Sequence, residues 1–339
     1  MRRNALMGNP LKLATLIVAL AFFMVPQVYA QAQPEQGNRE GAFWFNKMAA
    51  ALRSLNFEAA IIYVQRDQVE PYRWLHGADS NGEETELVIR LNGPDFRAIR
   101  IGDSASYFIP SGNSYTVNAS SLFGLIPPAF YQSFEEIADD YHVVAVGGAR
   151  VLDRKAQYIR VLSNDGVRYG YSVWVDKETG MLLKATMVSA QGEVIEQLQL
   201  ASLRILDGFP GHLADLSHVP KPPQLTNPSH ESETQYQLEP TWSPQGYERL
   251  RQDHHRVLLS GNPVDYYLYS DGLSDYSVYI TPVEQGDVHE WSIEGTETLY
   301  TELKNQFRVT IVGKIPLAIA HRVAAEVRMK VVEERPDGS

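Results

Sequence analysis

The chain reads as an α+β protein: a large curved antiparallel sheet with helices on one face, followed by a small α+β domain. Three observations predict this. One amphipathic helix pattern precedes a long run of strand-like segments, short turn signals separate those segments, and a proline-rich stretch at 218–240 divides them from a shorter strand set that a helix closes. Sequential strands with short turns pair antiparallel, because a parallel pair needs a crossover of roughly a dozen residues or more.

The first thirty residues have the form of a secretory signal. Arg2, Arg3 and Lys12 give a positive start, Leu11 to Val25 is apolar but for Lys12 and Thr15, and Val28-Tyr29-Ala30 offers small residues where a signal peptidase reads. Cleavage near Ala30 is expected. The run is short for a span of roughly 20 apolar residues, which argues against a retained anchor.

A helix opens the mature chain, with Trp44, Met48, Ala51, Leu52 and Leu55 recurring at steps of three and four. Strands are expected over Phe57–Val64, Glu86–Leu91, Phe96–Ile101, Tyr107–Ile109, His142–Gly147, Ala156–Leu162, Arg168–Val175, Leu182–Val188 and Val194–Leu206. Asn92-Gly93-Pro94, Asn164-Asp165-Gly166, Asp176–Gly180 and Gln191-Gly192 mark turns between them. The interruption at 118–140 carries Pro127-Pro128 and then Ser133-Phe134-Glu135-Glu136, a capping-box spacing that predicts one or two short helices.

Pro220, Pro222, Pro223, Pro228 and Pro240 make 218–240 a semi-stiff linker. Beyond it, strands are expected over Asp265–Ser270, Tyr276–Pro282, Glu290–Ile293, Leu299–Lys304 and Phe307–Gly313. A helix then opens at Pro316, with Leu317, Ala320, Val323, Ala324 and Val327 as its apolar stripe. The division is thus signal 1–30, first domain 31–217, linker 218–240, second domain 241–333 and tail 334–339.

Removing the signal takes three cations and no acid, so 30 basic against 41 acidic residues become 27 against 41, and the net charge moves from −11 to −14. Such a chain repels nucleic acid and anionic lipid at long range, which disfavours a general DNA- or RNA-binding role. There is no cysteine. Disulfides, thiolate metal sites, cysteine nucleophiles and a lipobox anchor are therefore excluded.

No motif of reaction chemistry emerges. Gly-x-Ser-x-Gly, Gly-x-x-x-x-Gly-Lys-Ser/Thr and Gly-x-Gly-x-x-Gly are all missing. His289-Glu290 lacks a second histidine at metal-binding spacing. His254-His255 are adjacent and point apart in either helix or strand, and His212 and His218 sit in polar surroundings. Glu135-Glu136 and Asp139-Asp140 read as a solvated face. No enzyme, metal or cofactor is expected. Arg90, Arg97 and Arg100 lie on neighbouring strand segments, with Arg73 not far upstream, and could form a basic patch for a phosphate or carboxylate group. Ordinary salt bridges with Glu83, Glu84, Glu86 and Asp95 are the competing reading. Arg97 and Arg100 should face opposite sides of a regular strand. The 18 tyrosines fall largely on strands, where they suit a filled barrel or the wall of an apolar pocket.

A resemblance joins these features. Leu268–Val278, containing Asp271-Gly272, stands between Thr241-Trp242-Ser243-Pro244-Gln245-Gly246-Tyr247 and Val309–Pro316, containing Gly313 and Pro316. Upstream, Ser172-Val173-Trp174-Val175-Asp176, Thr179-Gly180 and Gly192–Gln197 belong to the same pattern. In order and spacing these segments resemble the RseB/MucB family of periplasmic negative regulators of an envelope-stress sigma factor, over nearly all of 40–330. The motif residues Trp174, Asp176, Gly180, Trp242, Pro244, Gly246, Asp271, Gly272, Gly313 and Pro316 are read as mainly structural.

The resemblance implies a first domain of the lipoprotein-carrier type (LolA and LolB), a half-open antiparallel barrel with helices over its mouth. It implies a soluble periplasmic protein that binds the periplasmic domain of a membrane-bound anti-sigma factor (RseA or MucA type). It also implies shielding of that segment from regulated proteolysis, with release by a lipid or lipopolysaccharide signal. Two tethered domains could clamp one flexible peptide. A homodimer is the commonest assembly expected of such a chain. The alternative is a periplasmic lipid or lipoprotein carrier that uses the barrel cavity.

Overall fold

The computed structural model describes residues 34–330 apart from Asp67, Ser111, Asn113, Phe123 and the segments 225–233, 257–262 and 284–290. The expected signal 1–30, Pro228 of the linker, His289-Glu290 and the tail 334–339 lie outside the described residues. Among the described residues no helix is long and apolar enough to cross a membrane.

Helix α1 (Pro34–Ser54) leads into eleven strands: β1 (Phe57–Gln65), β2 (Gln68–Ala78), β3 (Glu84–Arg90), β4 (Arg97–Ile101), β5 (Ser104–Phe108), β6 (Tyr115–Asn118), β7 (Tyr141–Val151), β8 (Arg154–Ser163), β9 (Gly170–Asp176), β10 (Leu182–Val188) and β11 (Val194–Ile205). They form one antiparallel sheet in the order β6-β5-β4-β3-β2-β1-β11-β10-β9-β8-β7. The first and last strands of the run meet in the middle, with Ile61 opposite Leu200, and β6 and β7 are left as open edges. The sheet curls around α1, which packs on β7 and also touches β8, β9, β10 and β2. Phe45, Met48 and Leu52 of α1 are fully buried in one core with Ile61, Trp74, Val173 and Leu200. The half-barrel expected from the motif pattern is present, and packed side chains fill most of its concave side.

After α2 (Gly211–Ala214), the start of the proline-rich segment covers the β6 edge. Thr116 donates its amide to the Pro223 carbonyl and its hydroxyl to the Pro222 carbonyl, each at 2.9 Å, and pairs with Gln224 in a parallel bridge. An exposed sheet edge invites unwanted pairing, and this strap blocks one of the two.

The small sheet follows: β12 (Leu238–Pro240), β13 (Glu248–Arg256), β14 (Pro263–Ser270), β15 (Asp275–Pro282), β16 (Ser292–Ile293), β17 (Thr298–Lys304), β18 (Phe307–Gly313), helix α3 (Leu317–Ala325) and β19 (Val327–Met329). Its order is β13-β14-β15-β18-β17-β16, with β12 and β19 paired beside it. Ile319, Ala320, Val323 and Ala324 of α3 are buried against Val278, Ile280, Val309 and Ile311.

The sequence reading misses several strands for identifiable reasons. β2 carries Pro71, Arg73, His76 and Gly77, which read as breakers. Pro71 lies just beyond the stretch paired with β3, where its missing N–H costs no ladder bond, and its carbonyl still accepts from Leu91. β13 is polar but for the exposed Leu250, as an edge strand allows. The capping box at Ser133 is a correction. Phe134–Ile137 is a single 3-10 turn, as is Pro128–Tyr131, and Ser133 makes no side-chain capping bond. A turn this short leaves its amides to other partners, and Asn46 of α1 accepts from Phe134 N instead.

Candidate functional site

The β14–β15 hairpin tip, Asp271-Gly272-Leu273-Ser274, inserts into the large sheet's side of the molecule. Leu273 belongs to the large core, and the Gly272 carbonyl accepts the Ala129 amide at 3.0 Å. Asp271 shapes the tip from within, its Oδ1 accepting the amides of Leu273 and Ser274. Its Oδ2 faces across the seam and accepts from Tyr141 Oη at 2.6 Å and Arg168 Nη1 at 3.0 Å. The Arg168 guanidinium also bonds Asp165 Oδ2 and the Asp140 carbonyl, and lies 4.7 Å over the Tyr141 ring. Burial first, then the Asp271 charge, pushes the Tyr141 phenol well above its ordinary range, so it stays a donor.

Gly246 completes the seam. It sits at φ +83°, and a Cβ there would land inside the Asp140 carboxylate. Asp140 is thus the exception in its acidic run, most of which is exposed as expected.

A second contact reaches the barrel interior. Lys314, between β18 and α3, donates to both oxygens of Glu196 at 3.0 Å. Glu196 also accepts from Tyr63 Oη at 2.5 Å, and Gln65 donates to Tyr63 Oη at 2.7 Å. Tyr63 and Gln65 line a cavity of about 210 Å³ on the concave side, together with Tyr72, Trp74, Phe96 and Leu125.

Between the sheets opens a larger cleft of about 930 Å³. Tyr169, Val167 and Val194 form its large-sheet side, and Tyr300, Leu317 and His321 its small-sheet side. Val167 and Val194 are exposed apolar residues at this rim. Tyr169 is buried, and among the described residues its hydroxyl completes no hydrogen bond of good geometry, with the Thr298 side chain close by. A buried polar atom left unpaired is costly, so it marks a place where a bound group could complete a hydrogen bond.

The four arginines do not converge. Arg73 and Arg97 share the outer face, in register across Ile89. Arg90 and Arg100 occupy the inner face, as the odd spacing from Arg97 to Arg100 requires. Arg97 pairs with Asp95. Arg90 donates to the Pro94 carbonyl and lies over Phe96. Arg73 is exposed. Arg100, with 2 % of its side chain exposed, is held by Glu84 at 2.5 Å and Glu86 at 3.1 Å. The same carboxylates hold Arg53, His76 and Trp74, which ties α1 to β2, β3 and β4.

The motif residues take structural places. Trp174 stacks on Tyr158 with Lys184 over its ring, and Asp176 accepts from Thr179 and Arg154 in the turn that contains Gly180. Trp242 lies under Arg322 at 4.0 Å, Pro244 accepts the Tyr247 amide, and Pro316 caps α3. Gly313 lets β18 approach Asp275 and Tyr276 so closely that no Cβ fits. Sequence reasoning missed the seam role of Asp271, Gly272, Gly246 and Arg168. The one available signal was Asp-Gly at a hairpin tip, which predicts a turn but not what it plugs into. Among the described residues no three of His, Asp and Glu gather as metal ligands.

An open half-barrel with a second sheet docked onto it, and a cleft between the two, is the architecture of a two-lobed binding protein. The chain belongs to the MucB/RseB family: the MucB/RseB N-terminal domain matches residues 40–225 and the MucB/RseB C-terminal domain residues 230–328. It is 28 % identical over 320 residues to the Sigma-E factor regulatory protein RseB of Salmonella typhimurium, covering 94 % of this chain and 98 % of that protein. It is 25 % identical over 311 residues to the Sigma factor AlgU regulatory protein MucB of Pseudomonas aeruginosa, covering 90 % and 96 %. The fold matches MucB in the complex structure of Pseudomonas aeruginosa MucA/MucB with a TM-score of 0.69 at 23 % identity, covering 86 % of this chain and 100 % of that chain.

Proposed function

We propose that this chain is a soluble periplasmic regulator, released from its signal near Ala30, that binds the periplasmic domain of a membrane-bound anti-sigma factor of the RseA/MucA type. Covering that segment shields it from regulated proteolysis. The observation that carries the reading is the cleft between the sheets, with the exposed Val167 and Val194 at its rim and the buried Tyr169 in its wall. Occlusion needs complementary surface and no nucleophile, which agrees with a regulator that is not an enzyme. The likeness to MucB in a MucA/MucB complex supports the choice of partner.

The cavity beside Tyr63 and Tyr72 supports release by a lipid or lipopolysaccharide signal. Its volume of about 210 Å³ lies below the roughly 300 Å³ at which ligand pockets usually begin, which argues against carriage of a lipoprotein. Arg73 and Arg97, together on the outer face, are the arginines best placed for an anionic group. Assembly as a homodimer is part of the same proposal. Titration of the mature chain with the purified periplasmic segment of its anti-sigma factor tests the reading. Saturable binding that Val194→Arg weakens at least tenfold is expected, and no binding at any accessible concentration would overturn it.

A further inference from the structure

Helix α1 carries an apolar and cationic surface that neither the seam nor the cleft uses. Phe43 is 60 % exposed, although it sits in the middle of a helix whose other face is core. Its ring meets the edge of Trp44, 5.3 Å away. Cations bracket Trp44: Lys47 Nζ lies 5.0 Å from the ring centre and Lys177 Nζ 5.9 Å. Arg39 lies one turn before Phe43 on the exposed side. Lys155 is exposed beside Lys177, whose amide bonds the Lys155 carbonyl. Val146, 53 % exposed, belongs to the stretch of β7 between Val143, which lies under Gly41, and Gly148, which lies beside Lys177.

The charge pattern is local and runs against the whole chain. Arg39, Lys47, Lys155 and Lys177 outnumber the acids Glu40, Glu178 and Glu135, the last bonded to Asn46 of the same helix, on a mature chain with a net charge of −14. Long-range repulsion from an anionic surface is screened beyond about 8 Å at physiological ionic strength, so the facing patch decides what happens at contact. Aromatic side chains flanked by lysines, on a helix whose opposite face is buried, match the chemistry of an interfacial membrane contact: rings enter the headgroup region and amines meet phosphates.

We infer that the Phe43–Trp44 face of α1, with Lys47 and Lys177, docks this protein onto an anionic lipid surface. Docking brings the molecule to the plane of the membrane and leaves the cleft open for a partner. The inference stands apart from the proposed partner, because none of its residues lines the cleft or the barrel cavity.

Flotation of the mature chain with vesicles of phosphatidylethanolamine and phosphatidylglycerol, and with vesicles of phosphatidylcholine alone, tests it. The chain should float with the first and not the second. Phe43→Ser should lower the bound fraction about tenfold, the value of one large buried side chain. Lys177→Glu should lower it at least as much, with circular dichroism unchanged for both variants. Wild-type protein that stays in the soluble fraction overturns the inference. So does Phe43→Ser protein that floats as well as wild type, since lipid would then be entering the half-barrel instead.

Discussion

Arg168 and Asp271 face each other across the seam between the two sheets at 3.0 Å, with 1 % and 0 % of their side chains exposed. They are 103 residues apart in sequence. A charge pair this deep contributes less to net stability than to fixing one arrangement, but removing one partner strands the other. Arg168→Ala leaves Asp271 and Asp165 without their cation, and a loss of about 3–5 kcal/mol is expected in urea unfolding. The double variant Arg168→Met/Asp271→Asn should recover part of it, because the amide oxygen still accepts from Leu273 and Ser274 while no buried carboxylate is left at position 271.

Leu273→Ala tests the plug itself. The side chain is buried in the large core although it belongs to the small sheet's hairpin. Its truncation should cost about 2–5 kcal/mol. Small-angle scattering should show an expanded molecule while far-ultraviolet circular dichroism stays native. Unchanged dimensions would show that the seam does not depend on the plug.

The plug adds a docked seam to the expectation of two domains joined by a proline-rich segment. The seam contacts orient the two sheets, and the described start of the linker is bound along β6. The strand pattern was legible where burial alternates, as in β1 and β8, and where apolar residues run between turn signals, as in β10. It was illegible in β2 and β13, where edge position or the end of a pairing tolerates proline and charge. The cleft was hidden because its walls, Tyr169 and Leu317, come from separate domains, and no spacing rule spans such a distance. The arginine cluster failed to assemble because strand parity splits it between two faces.

Glu84 sets an acid limit. Burial would raise its pKa, but the hydrogen bonds from His76 and Arg100 and the charges of Arg100 and Arg53 outweigh this and bring it down to about 2. A carboxylate with a depressed folded-state pKa contributes stability that is complete above its unfolded pKa and is lost as pH falls through the folded one. About 3 kcal/mol should therefore disappear between pH 5 and pH 2, both approximate. Glu84→Gln should be destabilised at pH 7 and converge on wild type toward pH 2, as followed by thermal melts.

Glu196 is bonded on one side to Tyr63 in the cavity wall and on the other to Lys314 of the small-sheet half. A double-mutant cycle of Tyr63→Phe and Lys314→Met should give a coupling of about 0.5–3 kcal/mol. Strict additivity would mean that cavity and seam do not communicate through this carboxylate.

Cleavage of the anti-sigma periplasmic segment by its first protease, timed with and without the mature chain, is the most direct measurement. Slower cleavage in the presence of the chain, with protection lost on Val194→Arg in the cleft, is the expected result. Equal rates at a concentration of chain that saturates the segment would contradict a protein that works by covering its partner.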